Sequence, residues 1–290
     1  MPCGSSCKEG SQMRIVHSVR SIMLGVAAAI GFAAAASPAA AQGDLLVAPT
    51  RVIINNAGSA EVVLSNIGNQ PATYRISAEL RRMDEDGDFT EIAEADANPA
   101  EKTALAMITY APRRVTLLPG QPQAVRISIR PPEGVPDGEY RVHLNFRAIP
   151  PAVKADPADS AAPATGVTIK LVPVYGITIP VFVRRGRLDV AASIGAPKLI
   201  RSDAGTYVEL DLNRTGQRSV YGELIGKAAD GTVLFDLRGV AVYPEIGRRK
   251  LRIPLAADLA PKAKGRITVE YRELPENGGA LLAQAAATFP

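Results

Sequence analysis

The 290-residue chain contains no tryptophan, and its two cysteines, Cys3 and Cys7, both lie close to the N-terminus. Residues 1–41 have the layout of a secretory signal peptide, so we expect both cysteines to be removed on export. The mature chain would then have 290 − 41 = 249 residues and no thiol. That absence excludes a disulfide framework, a cysteine nucleophile and a cysteine-ligated metal site.

The signal-peptide prediction depends on three features in series. A basic stretch begins at Met13, the apolar run Ile22–Ala36 follows, and Ala39 and Ala41 complete a small-x-small cleavage pattern. The apolar run is shorter than the roughly 20 residues that span a bilayer. We expect cleavage after Ala41, and Met13 is a second candidate for the translation start.

The net positive charge is also small. The formal net charge is +4, and Lys8, Arg14 and Arg20 against Glu9 give +2 within the first 41 residues, which leaves +2 for the mature chain. Nucleic-acid binding requires clustered cations. We therefore expect no nucleic-acid partner.

Histidine is nearly absent, and His143 is the only one in the mature chain. One histidine without cysteines cannot assemble a zinc site, and no nucleophile-elbow motif accompanies it. The acidic segment Asp84–Glu91 lacks the spacing of a calcium loop and predicts a charged hairpin turn. We expect no catalytic residue, metal or cofactor, and we interpret His143 as a solvent-facing strand residue.

What the chain does contain is a series of short alternating, β-branched segments, among them Leu45–Asn55, Ala60–Gly68, Ala72–Met83 and Gly138–Pro151. Glycine, proline and asparagine turns separate them, which favours an all-β fold of β-sandwiches. No helical periodicity longer than one or two turns is visible. Without a Cys…Trp…Cys pattern, such a sandwich is immunoglobulin-like in architecture only.

The pattern is interrupted once. Residues 152–166 are rich in Ala, Pro, Asp and Ser without periodicity, which is typical of a loop. Strand-like segments resume after Gly186. We predict an N-terminal domain at 42–184 and a C-terminal domain at 185–290.

Between the loop and the second domain lies an apolar segment, Gly166–Arg185, that is long for one strand. Its odd-numbered positions from Ile169 to Val183 are apolar, with Pro173 the one proline among them. Alternate residues of a strand share a face. The pattern fits an ordinary buried central strand. It also fits a strand of which one half is buried in this protein and the other half in the core of another protein.

Three motifs in order resemble the first domain of one protein family: Pro49–Ile54 (PTRVII), Leu117–Ser128 (LLPGQPQAVRIS) and Gly138–Pro151 (GEYRVHLNFRAIPP). The family is that of periplasmic pilus-assembly chaperones of the chaperone–usher pathway. The resemblance implies two immunoglobulin-like β-sandwich domains in an L-shape, a periplasmic location, and neither enzymatic activity nor a cofactor.

The resemblance also implies a mechanism. Such a chaperone lends a strand to a pilin or fimbrial subunit that lacks one, and then delivers the subunit to an outer-membrane usher. The donor strand here is residues 167–183. The alternative is an exported two-domain adhesion or structural module in which this strand is fully paired. An unpaired donor strand is also an exposed edge that can associate with a second copy.

Within the donor strand, the early half is expected to enter the subunit and the later half to pack into the chaperone's own core. The subunit-facing set on the odd positions includes Ile169, Leu171 and Tyr175. A one-residue slip at Pro173 would present Val172 and Val174 instead.

The family holds the subunit's C-terminal carboxylate with two cations. The resemblance places the first at Arg51, whose planar fork suits a carboxylate. The family's second cation is a lysine, and Pro180 occupies that position here. Lys170 lies about 33 Å away along a strand, too far to substitute, and Arg184 lies about 13 Å away. Either Arg51 works with another cation, for which Arg126 is a candidate, or this chain anchors the carboxylate differently.

The family also ties its domains together with an acidic–Arg–acidic network. The matching residues are Glu139, Arg184 and Glu276. We predict that these three form a partly buried interdomain cluster.

Overall fold

The structure is a computed structural model that describes residues 45–150 and 173–290. These ranges contain eighteen β-strands and one α-helix, so the all-β prediction is confirmed. The predicted signal peptide lies outside the described residues, as do Ile169, Leu171 and Val172 of the predicted donor strand. No helix in the described ranges is long and apolar enough to cross a membrane.

The first sandwich is built from strands up to residue 185. They are β1 (Leu45–Ala48), β2 (Val52–Asn55), β3 (Gly58–Asn66), β4 (Ala72–Met83), β5 (Phe89–Ile92), β6 (Ile108–Ala111), β7 (Arg114–Leu117), β8 (Pro122–Ile129), β9 (Gly138–Ile149) and β10 (Gly176–Arg185). One sheet has the order β1-β3-β8-β6, and the other β2-β10-β9-β4-β5 with β7 on β4. Leu64, Ile127, Leu144 and Phe146 are fully buried between them.

The second sandwich follows. Its strands are β11 (Val190–Ile194), β12 (Lys198–Ser202), β13 (Gly205–Gly216), β14 (Val220–Lys227), β15 (Val233–Val242), β16 (Arg248–Pro254), β17 (Gly265–Arg272) and β18 (Leu281–Phe289). One sheet joins β11, β12 and β16 to β13, and the other has the order β15-β14-β17-β18. Both sandwiches belong to one compact unit, Gly43–Pro290. The domain limits 42–184 and 185–290 stay predictions.

The alternating run Leu45–Asn55 is not a single strand. Its first part, β1, pairs with β3 in one sheet, whereas β2 pairs in parallel with β10 in the other. Pro49 lies at the break and has no N–H to donate to a ladder. The crossing from sheet to sheet brings Arg51, which directly precedes β2, to the side of the first sandwich that contacts the second.

One helix is longer than the sequence pattern predicted. Helix α1 (Pro99–Met107) begins at a capping box, in which the Asn98 side chain accepts from the Glu101 N–H and the Glu101 carboxylate accepts from the Asn98 N–H. Pro99 occupies the first turn, where its missing N–H costs nothing. The prediction of no helix beyond one or two turns is therefore wrong at this nine-residue element.

Two turns at one end of the first sandwich are held together by Asn66, which is fully buried. Its Nδ2 donates to the carbonyls of Gln70, at 2.7 Å, and Leu117, at 3.0 Å. Its Oδ1 accepts from the N–H of Gly68 at 3.0 Å. All three side-chain bonds are to backbone groups, so the amide is the link between the two turns.

We expect Asn66→Asp to lower the free energy of unfolding by about 2–4 kcal/mol, since a carboxylate keeps the acceptor but loses both donors in a buried position. Urea denaturation measures the loss. The matched control is Asn69→Asp at an exposed position nearby, where we expect no measurable change. Equal losses in the two variants would contradict the role of Asn66.

Candidate functional site

The guanidinium of Arg51 lies between aromatic rings from both sandwiches. Its Cζ is 3.9 Å from the ring centre of Phe182 in β10 and 4.2 Å from that of Tyr221 in β14. A third ring, Tyr243, is 5.7 Å away. A desolvated cation between π-faces is worth about 2 kcal/mol or more, so this stack is a major contact between the two sandwiches.

The nitrogens of Arg51 are only partly used. Nη1 donates to the Tyr243 hydroxyl at 3.2 Å and Nη2 to Ser219 Oγ at 3.5 Å, whereas the buried Nε has no partner among the described residues. Burial lowers the pKa of Arg51, and the nearby Tyr243 opposes that effect. Since arginine stays charged at any physiological pH, a part-buried cation with spare donors faces the junction.

A buried carboxylate lies beside this arginine. Glu139 in β9 has a side chain with 0% exposure and accepts from Arg184 Nε at 2.9 Å. It also accepts from the Ser219 N–H and the Ser219 hydroxyl, each at 3.0 Å. Glu139 therefore ties β10 of its own sandwich to the chain that enters β14 of the other.

The structure brings together two of the three residues predicted for the interdomain cluster, Glu139 and Arg184. Glu276 is exposed in a single 3-10 turn, and its side chain makes no ion pair or hydrogen bond with any described residue. The third participant is Ser219, a residue with no charge to mark it in the sequence. Its hydroxyl and N–H supply two of the bonds that hold Glu139.

The structure contains a further link between the sandwiches that the sequence analysis did not predict. Arg141 binds Glu245 through two nitrogens, at 2.6 and 3.2 Å, and Glu245 also accepts from the Met83 N–H at 2.9 Å. Arg141 lies two residues after Glu139 in β9, so the two share a strand face. That spacing was the available signal in the sequence.

A small pocket of about 190 Å³ opens beside Arg51. Its lining contains three cations, Arg51, Arg184 and Arg218, against one carboxylate, Glu273. Apolar contacts come from Ile53 and other aliphatic side chains. The excess of guanidinium groups over carboxylates makes the pocket suited to a small anionic group beside an apolar one.

Arg126, the candidate second cation, lies elsewhere. Its Nε and Nη2 both donate to Oε1 of Glu61 in an exposed ion pair between β3 and β8, in the other sheet. The cations that accompany Arg51 in the pocket are Arg184 and Arg218. Arg218 precedes β14, and no sequence signal distinguished it from the chain's other arginines.

Strand β10 is paired on one edge along its length and on the other edge over less than half of it. It pairs with β9 from Gly176 to Arg185, but β2 covers only Val181–Arg184. No described strand pairs with that second edge from Gly176 to Pro180. Within the described ranges, the early part of β10 therefore has one edge without a partner strand.

The hydrogen bonds show which residues face that edge. The backbone carbonyl of Tyr175 accepts from the N–H of Ala148 in β9. The backbone carbonyl of Arg184 accepts instead from the N–H of Asn56, just beyond β2. In an antiparallel pair the bonding direction alternates, so the odd positions of β10 bond to β9 and the even ones face β2 or the free edge. Pro180 is an even position, where its missing N–H leaves the β9 ladder intact.

The side chains of β10 alternate too. Ile179, Val181 and Val183 are buried in the core of the first sandwich. Just before the strand, Val174 is 41% and Tyr175 is 56% exposed. Large apolar side chains thus continue beyond the point where the sandwich can bury them.

His143 does not face solvent, so that interpretation was wrong. It is 4% exposed and lies edge-on to the Phe89 ring, with centroids 5.6 Å apart. The strand pattern failed because both faces of β9 are covered at this point. Burial lowers the pKa of His143 to about 3, and three nearby arginines add to the effect. No group of three potential metal-binding side chains occurs among the described residues.

Comparisons with known proteins give similarity in structure alone. No family profile and no curated protein matches the sequence. The chain is similar to the E. coli chaperone DraB, with 16% identity over 86% of this chain and 97% of that one and a TM-score of 0.45.

Two further similar structures are complexes. For the Salmonella enterica SafA pilin with the SafB chaperone, the identity is 16% over 85% of this chain and 97% of the other, with a TM-score of 0.44. For the CsuC–CsuE chaperone–tip subunit pre-assembly complex of Acinetobacter baumannii, the identity is 15% over 84% of this chain and 97% of the other, with a TM-score of 0.45. Similarity at this level assigns no function to the present chain.

We expect Glu139→Gln to lower the free energy of unfolding by about 1–3 kcal/mol, because the amide keeps the shape but loses charge-assisted bonds in a buried position. Thermal or urea unfolding measures this. Glu276→Gln is the control, since that side chain is exposed and unpaired. Equal effects in both variants would contradict the arrangement.

His143 predicts a pH dependence. Its folded pKa, about 3, is lower than its ordinary value of 6.5, so the unfolded chain binds a proton in this window and the folded chain does not. Stability should therefore fall as the pH drops from about 6.5 towards 3, by up to about 1.4 kcal/mol per unit from this residue. In His143→Phe the free energy of unfolding should fall less steeply with pH in this range. Above about pH 7.5 the stability–pH curves of the variant and the natural chain should run parallel. Identical slopes below pH 6 would contradict it.

Proposed function

We propose that this protein is a periplasmic chaperone that holds fimbrial subunits by donor-strand complementation and delivers them to an outer-membrane usher. The observation that carries the proposal is the half-paired strand β10. Its even-numbered backbone groups from Val174 to Thr178 face an edge that no described strand covers. A free edge with an apolar face is the element that strand donation needs.

The direction of an added strand follows from β2. Because β2 runs parallel to β10 and begins opposite Val181, a strand placed on the free edge is in line with β2 and meets its start. If that strand runs parallel to β10, its C-terminus points at Arg51, which directly precedes β2. The pocket with three arginines lies at this end.

This geometry supports a carboxylate anchor. A C-terminal carboxylate arriving there would meet Arg51, Arg184 and Arg218, and each carries N–H donors not used by described residues. Arg184 and Arg218 would replace the lysine that the family has at the position of Pro180. Charge-assisted bonds of this kind are roughly twice as strong as neutral ones.

The donor side chains would come from the odd positions. Tyr175 is on the same odd-numbered face as Ile179 and Val181, which are buried in the first sandwich. Leu171 and Ile169, the odd positions that precede Tyr175 in the sequence, would extend that face. Three or four such plugs would contribute roughly 5–12 kcal/mol before ordering costs. A complex of this strength can hold a subunit and still release it to a competing strand.

The test is copurification with a fimbrial subunit encoded beside the chaperone's own gene. We expect Leu171→Ser/Tyr175→Ser to abolish capture, because two plugs become polar, and Arg218→Gln to weaken it by roughly tenfold through loss of one charge-assisted contact. The control is Leu281→Ser, since Leu281 is 47% exposed on the second sandwich. Normal capture by the double variant would overturn the mechanism.

Hydrogen exchange separates the proposal from the alternative, an exported adhesion or structural module. A donor edge should exchange quickly at Gly176 and Thr178 in the free protein and slowly in the subunit complex. Slow exchange at both residues in the free protein, at concentrations where it is monomeric, would favour the module.

A further inference from the structure

Three arginines lie side by side on the outer face of the first sandwich. Arg114 of β7 is directly opposite Arg75 of β4, and Arg75 is directly opposite Arg147 of β9. All three are exposed. Neighbouring strands are about 4.8 Å apart, so three positive charges are aligned across about 10 Å. We call these three residues the arginine row.

The arginine row has no acidic partner in the described structure. None of its members takes part in an ion pair or side-chain hydrogen bond among the described residues, although many other arginines do. The nearest acid on this face of β4 is Glu79, four residues along from Arg75, and it binds Arg81 and Asn145. Like charges directly opposite each other destabilise a sheet, so the row is unfavourable to the isolated protein.

The surroundings of the row indicate what would bind there. On one side lie Thr73 and Thr116, hydrogen-bonded to each other at 2.8 Å. On the other lie Ser77, Asn145 and Thr178, which are opposite one another in the register. The face is mostly polar and rich in groups that bind carboxylates. Its flanking rows contain one apolar residue, Ile149, opposite Thr73, and one half-exposed side chain is too little apolar surface to insert into a bilayer.

The row also ends at the free edge of β10. Arg147 is opposite Gly176, which has no side chain to cover it. Any chain segment that reaches this edge therefore approaches Arg147 directly. Three cations are too few for tight nucleic-acid binding, which depends on many phosphate contacts, but they match two or three carboxylates on a strand or loop.

We propose that the arginine row is a docking surface for an acidic segment of a partner protein, whose Asp or Glu carboxylates pair with the three guanidinium forks. The repulsion within the row is relieved when the carboxylates bind, so the partner gains affinity that an isolated arginine would not give. This surface is separate from the pocket beside Arg51 and does not depend on strand donation.

The test uses a fluorescent ten-residue peptide of alternating Glu and Thr, with a Gln/Thr peptide as its uncharged counterpart, and the full chain at roughly 50 mM ionic strength. We expect the acidic peptide alone to bind. The triple variant Arg75→Gln/Arg114→Gln/Arg147→Gln should bind the acidic peptide roughly tenfold or more weakly. Added salt should reduce the affinity of the natural chain for this peptide more than that of the variant.

The matched control is Arg130→Gln/Arg187→Gln/Arg266→Gln, which removes the same charge from exposed positions outside the row. It should change affinity by less than about threefold. The row variant should also unfold at the same or a higher temperature than the natural chain, since it loses only repulsion. A markedly lower midpoint would show a structural role and overturn the proposal.

The proposal would also be overturned if the natural chain did not bind the acidic peptide, or if the row and control variants lost equal affinity for it. A third contrary result would be binding that depends on the row only for vesicles containing about 30% phosphatidylglycerol. The last result would assign the surface to anionic lipid. Capture of a subunit through the donor strand can fail or succeed independently of all three.

Discussion

The central contact between the two sandwiches is made by one part-buried cation. Arg51 is held between Phe182 of the first sandwich and Tyr221 of the second, and a guanidinium suits that position because it is planar, weakly hydrated and permanently charged. An aliphatic side chain would fill the space but leave the Tyr243 hydroxyl without its partner. The same charge is retained at a junction where a ligand's carboxylate could use it.

Arg51 reaches this position because the chain breaks between β1 and β2. A continuous strand from Leu45 to Asn55 would remain in one sheet, and its side chains would alternate between one core and solvent. The break at Pro49 transfers the chain to the opposite sheet, and β2 then covers only the last residues of β10. One proline-containing crossing thus places the arginine between the two sandwiches and leaves the early part of β10 without a described partner strand on that edge.

How far the sequence predicts this arrangement depends on the range of the interactions. The alternation of Ile179, Val181 and Val183 predicted a buried face, because a strand's period of two is a local property. Asn98 and Glu101 also carried a local signal for a helix. Tyr243 contacts Arg51 across 192 positions, and a pairing of that range leaves no trace in one sequence.

His143 illustrates the same limit at shorter range. A polar residue at an alternating position predicts a solvent-facing side chain only if nothing covers that face. Here Phe89 packs edge-on against the imidazole ring, and burial lowers the pKa of His143 to about 3. The cover on the second face comes from Phe89 of β5, a strand that pairs with β4 and not with β9, and periodicity within β9 contains no information about it.

The two unfavourable features of the first sandwich have a common interpretation. A free apolar edge and a row of opposed arginines each reduce the stability or solubility of the isolated chain. They also meet at Gly176, where the edge begins and the row ends. A bound partner would offset both costs, so the proposed strand donation and the proposed acidic docking place their partners on the same side of the sheet.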